Sequence, residues 1–305
     1  MPIQKWTRKS TIGWRLLRGA RHDAVTSIPD MAARDLGLLV FVGPTGDHND
    51  RGMAGAPIVG RELTRRLCLE PTAIGEPRPA TSAPWEQALA TALPGLTELR
   101  DAHGDMMSRG RVPVLAASRC AASLATLPNV AALRQDAVVV WFDAHADLNT
   151  PAGSTTGYLG GLVLSAAVGW WDSGLGSGLV PDRIVLGGTR DLDPPEQALV
   201  DQGTVKLAAG PHLLDHLDRY IGDAPVYFHL DCDVLEPGTV PTDYRVPGGL
   251  GLDDLAAVAR RLGRNDVVGV EIAEFEAADP DDHTDYARPL VDALMPLWAP
   301  EATPL

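Results

Sequence analysis

Residues Val138 to Asp147 read Val-Val-Val-Trp-Phe-Asp-Ala-His-Ala-Asp, an apolar run that ends in an Asp-x-His-x-Asp motif. The β-branched and aromatic residues predict a buried parallel strand. In α/β folds the functional side chains lie at the carboxyl ends of such strands. Two carboxylates and an imidazole at alternate positions can converge on one or two divalent cations. The alternative is a solvated loop with incidental charges, which would crowd carboxylates without a cation to offset their repulsion.

A second stretch, Val226 to Pro237, repeats this arrangement, because its apolar strand ends in His-Leu-Asp-Cys-Asp. Side chains alternate with a period of two, so the histidine and the two aspartates share one face of the strand. Two strands that both end in acids and imidazoles predict a metal centre, since unneutralised carboxylates in one cleft would repel each other. The predicted metal ligands are Asp143, His145, Asp147, His229, Asp231 and Asp233.

Strands and helices alternate along the chain, from a buried strand at Gly37 to Gly43 to a last helix at Tyr286 to Leu297. The alternation predicts one α/β domain with a parallel, doubly wound sheet, and a TIM barrel is the alternative. We place this domain at residues 37–305 and treat residues 1–36 as an N-terminal extension. Six basic residues precede its first acidic residue, Asp23. Two interpretations of the extension stay open: an organelle transit peptide, and a terminus that frays or packs on an acidic surface.

The composition excludes several classes of protein. The 305 residues carry a formal net charge of -14, which argues against nucleic acid as a partner, because phosphate binding needs a cationic surface. The three cysteines form no disulfide framework and fit a reducing compartment, so we expect a cytoplasmic protein. No apolar run is long enough to cross a membrane, and we expect no membrane partner.

These motifs resemble those of the arginase/agmatinase (ureohydrolase) family of binuclear manganese enzymes. The similarity runs from about Val42 to Leu297. Beyond the two strand-end motifs, it includes Asn149-Thr-Pro151, the segment Arg190 to Glu196, Pro247-Gly-Gly249 and Glu274. The resemblance implies a three-layer α/β/α fold with a mainly parallel, eight-stranded sheet, which displaces the TIM barrel. It also implies a homo-oligomer, commonly a trimer or hexamer.

The resemblance further implies a cofactor of one or two Mn²⁺ ions. Asp143 and Asp231 would bridge them, His145 and Asp233 would complete one site, and Asp147 would belong to the other. The implied activity is hydrolysis of a C–N bond in a guanidino or amidino compound by hydroxide formed on the metal.

The same resemblance assigns residues to the substrate. Glu274 would pair with its guanidinium group. Asn149, Asp193 and Glu196 would bind the amino-acid end, which favours an arginine-like compound; the alternative is that Asp193 to Glu196 only caps a helix. The predicted catalytic residues are Asp147, Glu274 and His48. His48 is a candidate for proton transfer from the first strand-end loop.

Two histidines of the family pattern are replaced. Arg119 stands at the position of a metal-ligand histidine, and Gly160 at that of the histidine proton shuttle. Tyr158 replaces an asparagine of the carboxylate-binding loop. Four outcomes fit the first replacement: a single metal site, His229 as a relocated ligand, the Arg119 guanidinium as a fixed charge beside Asp147, or metal binding with little hydrolysis.

The leading interpretation is a metal-dependent amidinohydrolase. Within enzymes, the alternatives are formiminoglutamase-like and deacetylase-like hydrolysis. From a different class, a catalytically silent relative that binds a ligand or serves as a hetero-oligomer subunit stays open, because of Arg119 and Gly160.

Overall fold

The computed structural model describes residues 35–279 and 285–298. One sheet of eight parallel strands runs through it in the order β2-β1-β3-β8-β7-β4-β5-β6. The strands are β1 (Leu36–Phe41), β2 (Pro71–Ile74), β3 (Val112–Ala117), β4 (Val138–Phe142), β5 (Ile184–Gly187), β6 (Lys206–Ala208), β7 (Val226–Asp231) and β8 (Val267–Ala273). The helices are α1 (Arg51–Leu67), α2 (Trp85–Ser108), α3 (Ser123–Leu133), α4 (Val163–Val168), α5 (Pro194–Asp201), α6 (Leu213–Ile221), α7 (Leu252–Leu262) and α8 (Ala287–Leu294).

This sheet confirms the predicted eight-stranded, three-layer α/β/α fold and rules out the TIM barrel. Within the described residues the sheet is open, because β2 and β6 each pair with a single neighbour. Almost all of the predicted N-terminal extension, residues 1–36, lies outside the described residues. The boundary before residue 37 therefore stays a prediction, although β1 already begins at Leu36.

The two faces of the sheet carry separate cores. In β4, Val138 and Val140 point into a core shared with α1, α6, α7 and α8. Val139 and Trp141 point into a core shared with α2, α3 and α4. Because alternate residues of a buried parallel strand face opposite layers, β4 has to be apolar on both sides, as its sequence is.

Two elements escape the sequence pattern. The strand β2 lies in a proline-rich stretch whose sequence predicts a linker. It is a short edge strand of four residues that begins at Pro71 and is half exposed, so it lacks the apolar pattern of a buried strand. The helix α1 begins at Arg51, whereas the sequence predicts its start at Ile58. Pro57 lies inside α1, and a proline normally interrupts the hydrogen bonds of a helix. The sequence pattern therefore does not predict the turns of α1 that precede Pro57.

The four central strands β3, β8, β7 and β4 are neighbours and end on the same side of the molecule. The two predicted motifs follow β4 and β7, so this edge of the sheet carries the candidate ligands. Among the described residues, no helix has both the length and the apolar character of a membrane span.

Candidate metal centre and substrate cavity

A first group of ligand-type side chains lies where β4 and β7 end. Asp143 directly follows β4, and Asp233 lies just beyond β7. His145 Nδ1 is 3.3 Å from Asp143 Oδ1 and 3.1 Å from Asp233 Oδ2. One ligand atom from each of the three residues lies within 4.8 Å of the others. The structure therefore brings together three of the side chains that the motifs predict as ligands.

A second group shares Asp143 and adds Asp231 and Cys120, and all three are buried. The Cys120 thiol donates a hydrogen bond of 2.9 Å to Asp231 Oδ2. Cys120 is not among the predicted ligands, because the resemblance to the family pattern places Arg119 at the ligand position, one residue earlier. The available signal is a cysteine just after a buried strand, since a thiolate is itself a good metal ligand. With Asp143 in both groups, the arrangement can hold two cations that share one carboxylate.

Asp147 lies beside these groups without belonging to either. Its backbone has a φ of 51°, in the left-handed region that non-glycine residues rarely occupy. Such strain is common at functional sites, where the surrounding structure imposes it. The side chain of Asp147 is buried and lines the same cavity as Asp231 and Asp233.

Burial and carboxylate repulsion dominate the electrostatics of this centre. Burial raises the pKa of Asp231 well above its usual range, and the charges of Asp233 and Asp143 raise it further. Burial and the charge of Asp143 do the same to the pKa of Asp147. Burial lowers the pKa of His145, but Asp143 and Asp233 raise it by more. A divalent cation would offset this repulsion, and the donors present are suited to bind one.

Arg119 is buried away from these ligand groups and points toward the loop after β1. Its guanidinium pairs with three buried carboxylates: Asp47 at 3.0 Å, Glu274 at 2.7 Å and Glu276 at 3.0 Å. Asp147 is not among these three partners, whereas the alternative in which Arg119 replaces an ion predicts that the two residues are neighbours. The physical reason is the alternation of side chains at the strand end, which directs Cys120 to the ligand groups and Arg119 elsewhere.

A glycine makes room for this arginine. A Cβ atom on Gly52, in the first turn of α1, would lie 2.5 Å from the Ser118 carbonyl oxygen and 2.8 Å from Arg119 Nε. Such contacts are too short for any side chain. The start of α1 can therefore approach the guanidinium only because residue 52 is glycine.

Glu274 follows β8 and lines the cavity, as the predicted contact to a substrate guanidinium requires. Both of its carboxylate oxygens already accept hydrogen bonds, Oε2 from Arg119 and Oε1 from the Cys120 backbone N–H at 2.9 Å. Burial raises the pKa of Glu274 to about 7, against the lowering effect of Arg119. Its φ of 63° is again left-handed. Glu274 thus lines the cavity while its carboxylate is paired with the Arg119 guanidinium.

The residues predicted for the amino-acid end of a substrate also lie together. Asn149 Nδ2 donates to Asp193 Oδ2 at 2.7 Å, and Glu196 accepts the backbone N–H groups of Leu148 and Asp193. Asp193 and Glu196 form a capping box at the start of α5. All three predicted residues also line the cavity. Asn149 Oδ1 is buried without a hydrogen-bond partner among the described residues, which leaves it available to a donor.

The cavity that joins these features has a volume of about 270 Å³. It is lined by Cys120, His145, Asp147, Asn149, Ser154, Thr156, Tyr158, Gly160, Gly161, Asp191, Asp193, Glu196, Asp231, Asp233, Tyr244 and Glu274. Tyr158 and Tyr244, with ring centroids 6.2 Å apart, form an aromatic wall that the motifs do not predict. The Tyr244 ring also meets the His145 ring edge-on, 5.3 Å away. The cavity is large enough for an amino acid with its side chain directed at the ligand groups.

Two predicted histidines do not line this cavity. His48 is exposed and stacks on Tyr158, with ring centroids 4.9 Å apart. His229 is fully buried inside the sheet, where Nδ1 contacts Glu271 and Nε2 lies 3.1 Å from Cys120 Sγ. The geometry places His229 behind Cys120 and outside both ligand groups, because both ring nitrogens already have partners.

Comparison with known proteins identifies relatives across most of the chain. An N(omega)-hydroxy-L-arginine amidinohydrolase from Streptomyces lavendulae is 38% identical over 263 residues, which cover 86% of this chain and 96% of the relative. An arginase from Bacillus caldovelox is 27% identical over 201 residues, covering 60% of this chain and 66% of the relative.

Solved structures share the fold. An arginase from Bacillus subtilis superposes with a TM-score of 0.75 at 20% identity, covering 88% of this chain and all of that one (100%). A proclavaminate amidino hydrolase from Streptomyces clavuligerus gives a TM-score of 0.63 at 21% identity, covering 88% and 94%. The family model described as "Arginase family" matches residues 82–291, well over half of the sequence. This match and the relative from Streptomyces lavendulae confirm the resemblance seen in the motifs, and the chain belongs to the arginase family.

Proposed function

We propose that this protein is a metal-dependent amidinohydrolase with Mn²⁺ as its cofactor, which cleaves a C–N bond of a guanidino group on an arginine-like amino acid. The observation that carries the proposal is the sharing of Asp143 between two ligand groups at one end of a cavity. Asn149 and Asp193 line the same cavity, and their polar side chains suit an amino acid's charged groups.

The donor set fits two divalent cations. One position would use Asp143, His145 and Asp233, and the other Asp143, Asp231 and Cys120, with Asp147 close by. Carboxylate and imidazole donors suit Mn²⁺, and the thiolate adds a softer donor at the second position. When bound, such ions make water a nucleophile at neutral pH and act as Lewis acids toward the substrate.

The chain's own residues would orient the substrate. Asn149 Oδ1, which has no hydrogen-bond partner among the described residues, would accept a hydrogen bond from the substrate's α-ammonium group. Asp193 adds a negative charge beside it, at 2.7 Å from the Asn149 amide nitrogen. Glu274 receives the guanidino end, as the sequence predicts. Tyr158 and Tyr244 line the same cavity, and their rings would exclude water from the bound substrate.

The pairing of Glu274 with Arg119 favours a weakly basic substrate. Because the Arg119 guanidinium already neutralises this carboxylate, a second guanidinium gains less there than a neutral group that donates hydrogen bonds. An N-hydroxyguanidine is less basic than a guanidine. The relative that is 38% identical carries the name N(omega)-hydroxy-L-arginine amidinohydrolase, which points to the same class of compound. Hydrolysis of such a substrate adds one water and releases hydroxyurea and the side-chain amine.

The test is product release by the full chain loaded with Mn²⁺. Candidate substrates are Nω-hydroxy-L-arginine, L-arginine, agmatine and N-formimino-L-glutamate, and the released amine or ammonia is quantified. We expect the highest kcat/KM for Nω-hydroxy-L-arginine. The matched control Asp233→Asn keeps the shape of a ligand and removes its charge, and we expect it to abolish turnover. Absence of product from all four compounds, with metal bound, would contradict the proposal.

A catalytically silent protein is the second candidate. Gly160 leaves no side chain at the position of the family's proton shuttle, and Glu274 is held by Arg119. Such a protein would bind the amino acid and the metal without turnover, so the same loaded sample separates the two functions by ligand binding without product. An oligomer, whether a homo-trimer, a homo-hexamer or a hetero-oligomer, and a cytoplasmic location remain predictions.

A further inference from the structure

Three side chains lie side by side across the central strands of the sheet. Trp141 on β4, His229 on β7 and Glu271 on β8 are partners in the strand register. The His229 ring stacks on Trp141 with ring centroids 3.5 Å apart and planes within 4°. On its other side, His229 Nδ1 lies 2.9 Å from Glu271 Oε2. All three side chains are fully buried, so the imidazole is held in one orientation.

This orientation directs the remaining ring nitrogen at Cys120. His229 Nε2 lies 3.1 Å from Cys120 Sγ, and the same sulfur lies 2.9 Å from Asp231 Oδ2. The contact with Nε2 therefore holds the sulfur between the His229 ring and the carboxylate of Asp231. Trp141 also donates from Nε1 to Asp143 Oδ2 at 3.1 Å. One ring thus positions both the histidine and the carboxylate that the two ligand groups share.

Glu271 is anchored in turn by several donors. Ser123 Oγ donates to its Oε2 at 2.6 Å, Tyr227 donates to its Oε1 at 2.7 Å, and Thr126 donates to Oε1 as well. Burial would raise the pKa of Glu271, but the hydrogen bond and charge of His229 and the hydrogen bonds from Ser123 and Thr126 lower it to about 2. The carboxylate is therefore a fixed negative charge that holds the Nδ1 side of the ring.

We propose that His229 is a positioning residue, which Trp141 and Glu271 anchor so that it holds the Cys120 sulfur in place as a metal ligand. The inference rests on the proposed function in one respect, the assignment of a cation to the group of Cys120, Asp143 and Asp231. Residues that orient ligands in this way affect metal affinity nearly as strongly as the ligands do.

Two substitutions of His229 separate this role from a merely structural one. In His229→Gln the side-chain amide reaches the position of Nε2 and can still bond Cys120. In His229→Asn the amide reaches only the position of Nδ1 and keeps the contact with Glu271. If His229 matters only through its contact with Glu271, His229→Asn should impair metal binding less than His229→Gln. If His229 positions the Cys120 sulfur, His229→Gln should impair metal binding less than His229→Asn.

The experiment uses the full chain, freed of metal and titrated with Co²⁺. A thiolate bound to Co²⁺ gives a near-ultraviolet charge-transfer band, which reports the sulfur–metal bond without reference to activity. We expect this band in the wild type and in His229→Gln. In His229→Asn we expect its loss, or a Co²⁺ affinity lower by about 10- to 100-fold. The matched control Tyr227→Phe removes a hydroxyl from Glu271 without touching Cys120, and it should keep the band.

A band of wild-type intensity and affinity in His229→Asn, or no band in the wild type, overturns the positioning role. If His229→Asn does not fold, Glu271→Gln loosens the same ring while leaving His229 in place, and we expect an affinity about tenfold lower. An unchanged affinity in that variant overturns the proposal as well. Product release is measured separately: turnover without the band rejects this inference alone, and the band without turnover rejects the proposed function alone.

Discussion

The aromatic ring of Tyr158 occupies the space that a side chain on Gly160 would need. A Cβ atom on Gly160 would lie 2.4 Å from Tyr158 Cε1 and 3.1 Å from Cζ. The glycine at the family's shuttle position and the tyrosine two residues before it are therefore complementary. With tyrosine at position 158, residue 160 has to be glycine, because the tyrosine ring fills the space of a Cβ atom.

This relationship predicts that Gly160→Ala displaces Tyr158 from the cavity wall. We expect a loss of about 1–3 kcal/mol in the free energy of unfolding, as for other overpacked sites, and a lower kcat/KM. The measurement is chemical denaturation together with the product assay. Gly161→Ala is the matched control for stability, because a Cβ there has no neighbour within 4 Å, and it should leave the free energy of unfolding unchanged. Equal effects of the two variants would reject the complementarity.

Restoring the family residue at position 119 should fail to restore a ligand. Arg119 pairs with Asp47, Glu274 and Glu276, so a histidine there faces those carboxylates and leaves them partly unpaired. We expect Arg119→His to lower the free energy of unfolding by about 3–5 kcal/mol and to leave the number of bound metal ions unchanged. Metal analysis and denaturation measure the two effects.

The matched control is Arg109→Met, since that arginine is 70% exposed, and we expect it to change stability by less than about 0.5 kcal/mol. An additional ion that appears only in Arg119→His would show that residue 119 can reach the ligand groups after all.

Cys120→Ser should weaken one cation position and spare the other. The sulfur belongs only to the group with Asp231, whereas His145 and Asp233 form the other group with Asp143. We expect the bound metal to fall from about two ions per chain to about one, because the weaker hydroxyl donor replaces a thiolate. Cys232→Ser is the control, since that buried cysteine belongs to neither group. Loss of both ions in Cys120→Ser would mean that the two positions fill only together.

The metal-free protein should lose stability as the pH rises. Burial raises the pKa of Glu274 to about 7 from 4.5, and burial with neighbouring carboxylates raises the pKa of Asp147 and Asp231 well above the usual range. Between the unfolded and folded pKa values the folded state binds more protons, so the free energy of unfolding falls with increasing pH. His145, whose pKa is also raised, contributes with the same sign.

Denaturation in EDTA between about pH 5 and 8 measures this slope. Saturating Mn²⁺ should reverse it, because metal and protons compete for the same ligands. Asp147→Asn removes one of the buried acids and should flatten the metal-free profile. A metal-free stability that increases over this range would contradict the assignment of these acids as protonated in the absence of cations.

The sequence is sufficient for the fold and for the carboxylate part of the centre. Strands that end in Asp143 and Asp231 have to meet, because parallel strands place their carboxyl ends on one edge. It does not predict Cys120, since the choice between Arg119 and Cys120 depends on which way the chain turns after β3. It also cannot show that Arg119 is paired with Glu274, because that contact joins residues 155 positions apart. Local patterns carry no information on such long-range pairs.

The capping box at the start of α5 has an evolutionary consequence. Asp193 and Glu196 hold the first turn of the helix and also form one end of the cavity. Substitutions there that alter ligand preference also loosen a helix, so drift at this end is opposed by selection for folding. Tyr158 and Tyr244 terminate no helix or strand and carry no such constraint. New substrate ranges in descendants of this protein should therefore arise first at the aromatic wall, while the amino-acid end stays fixed.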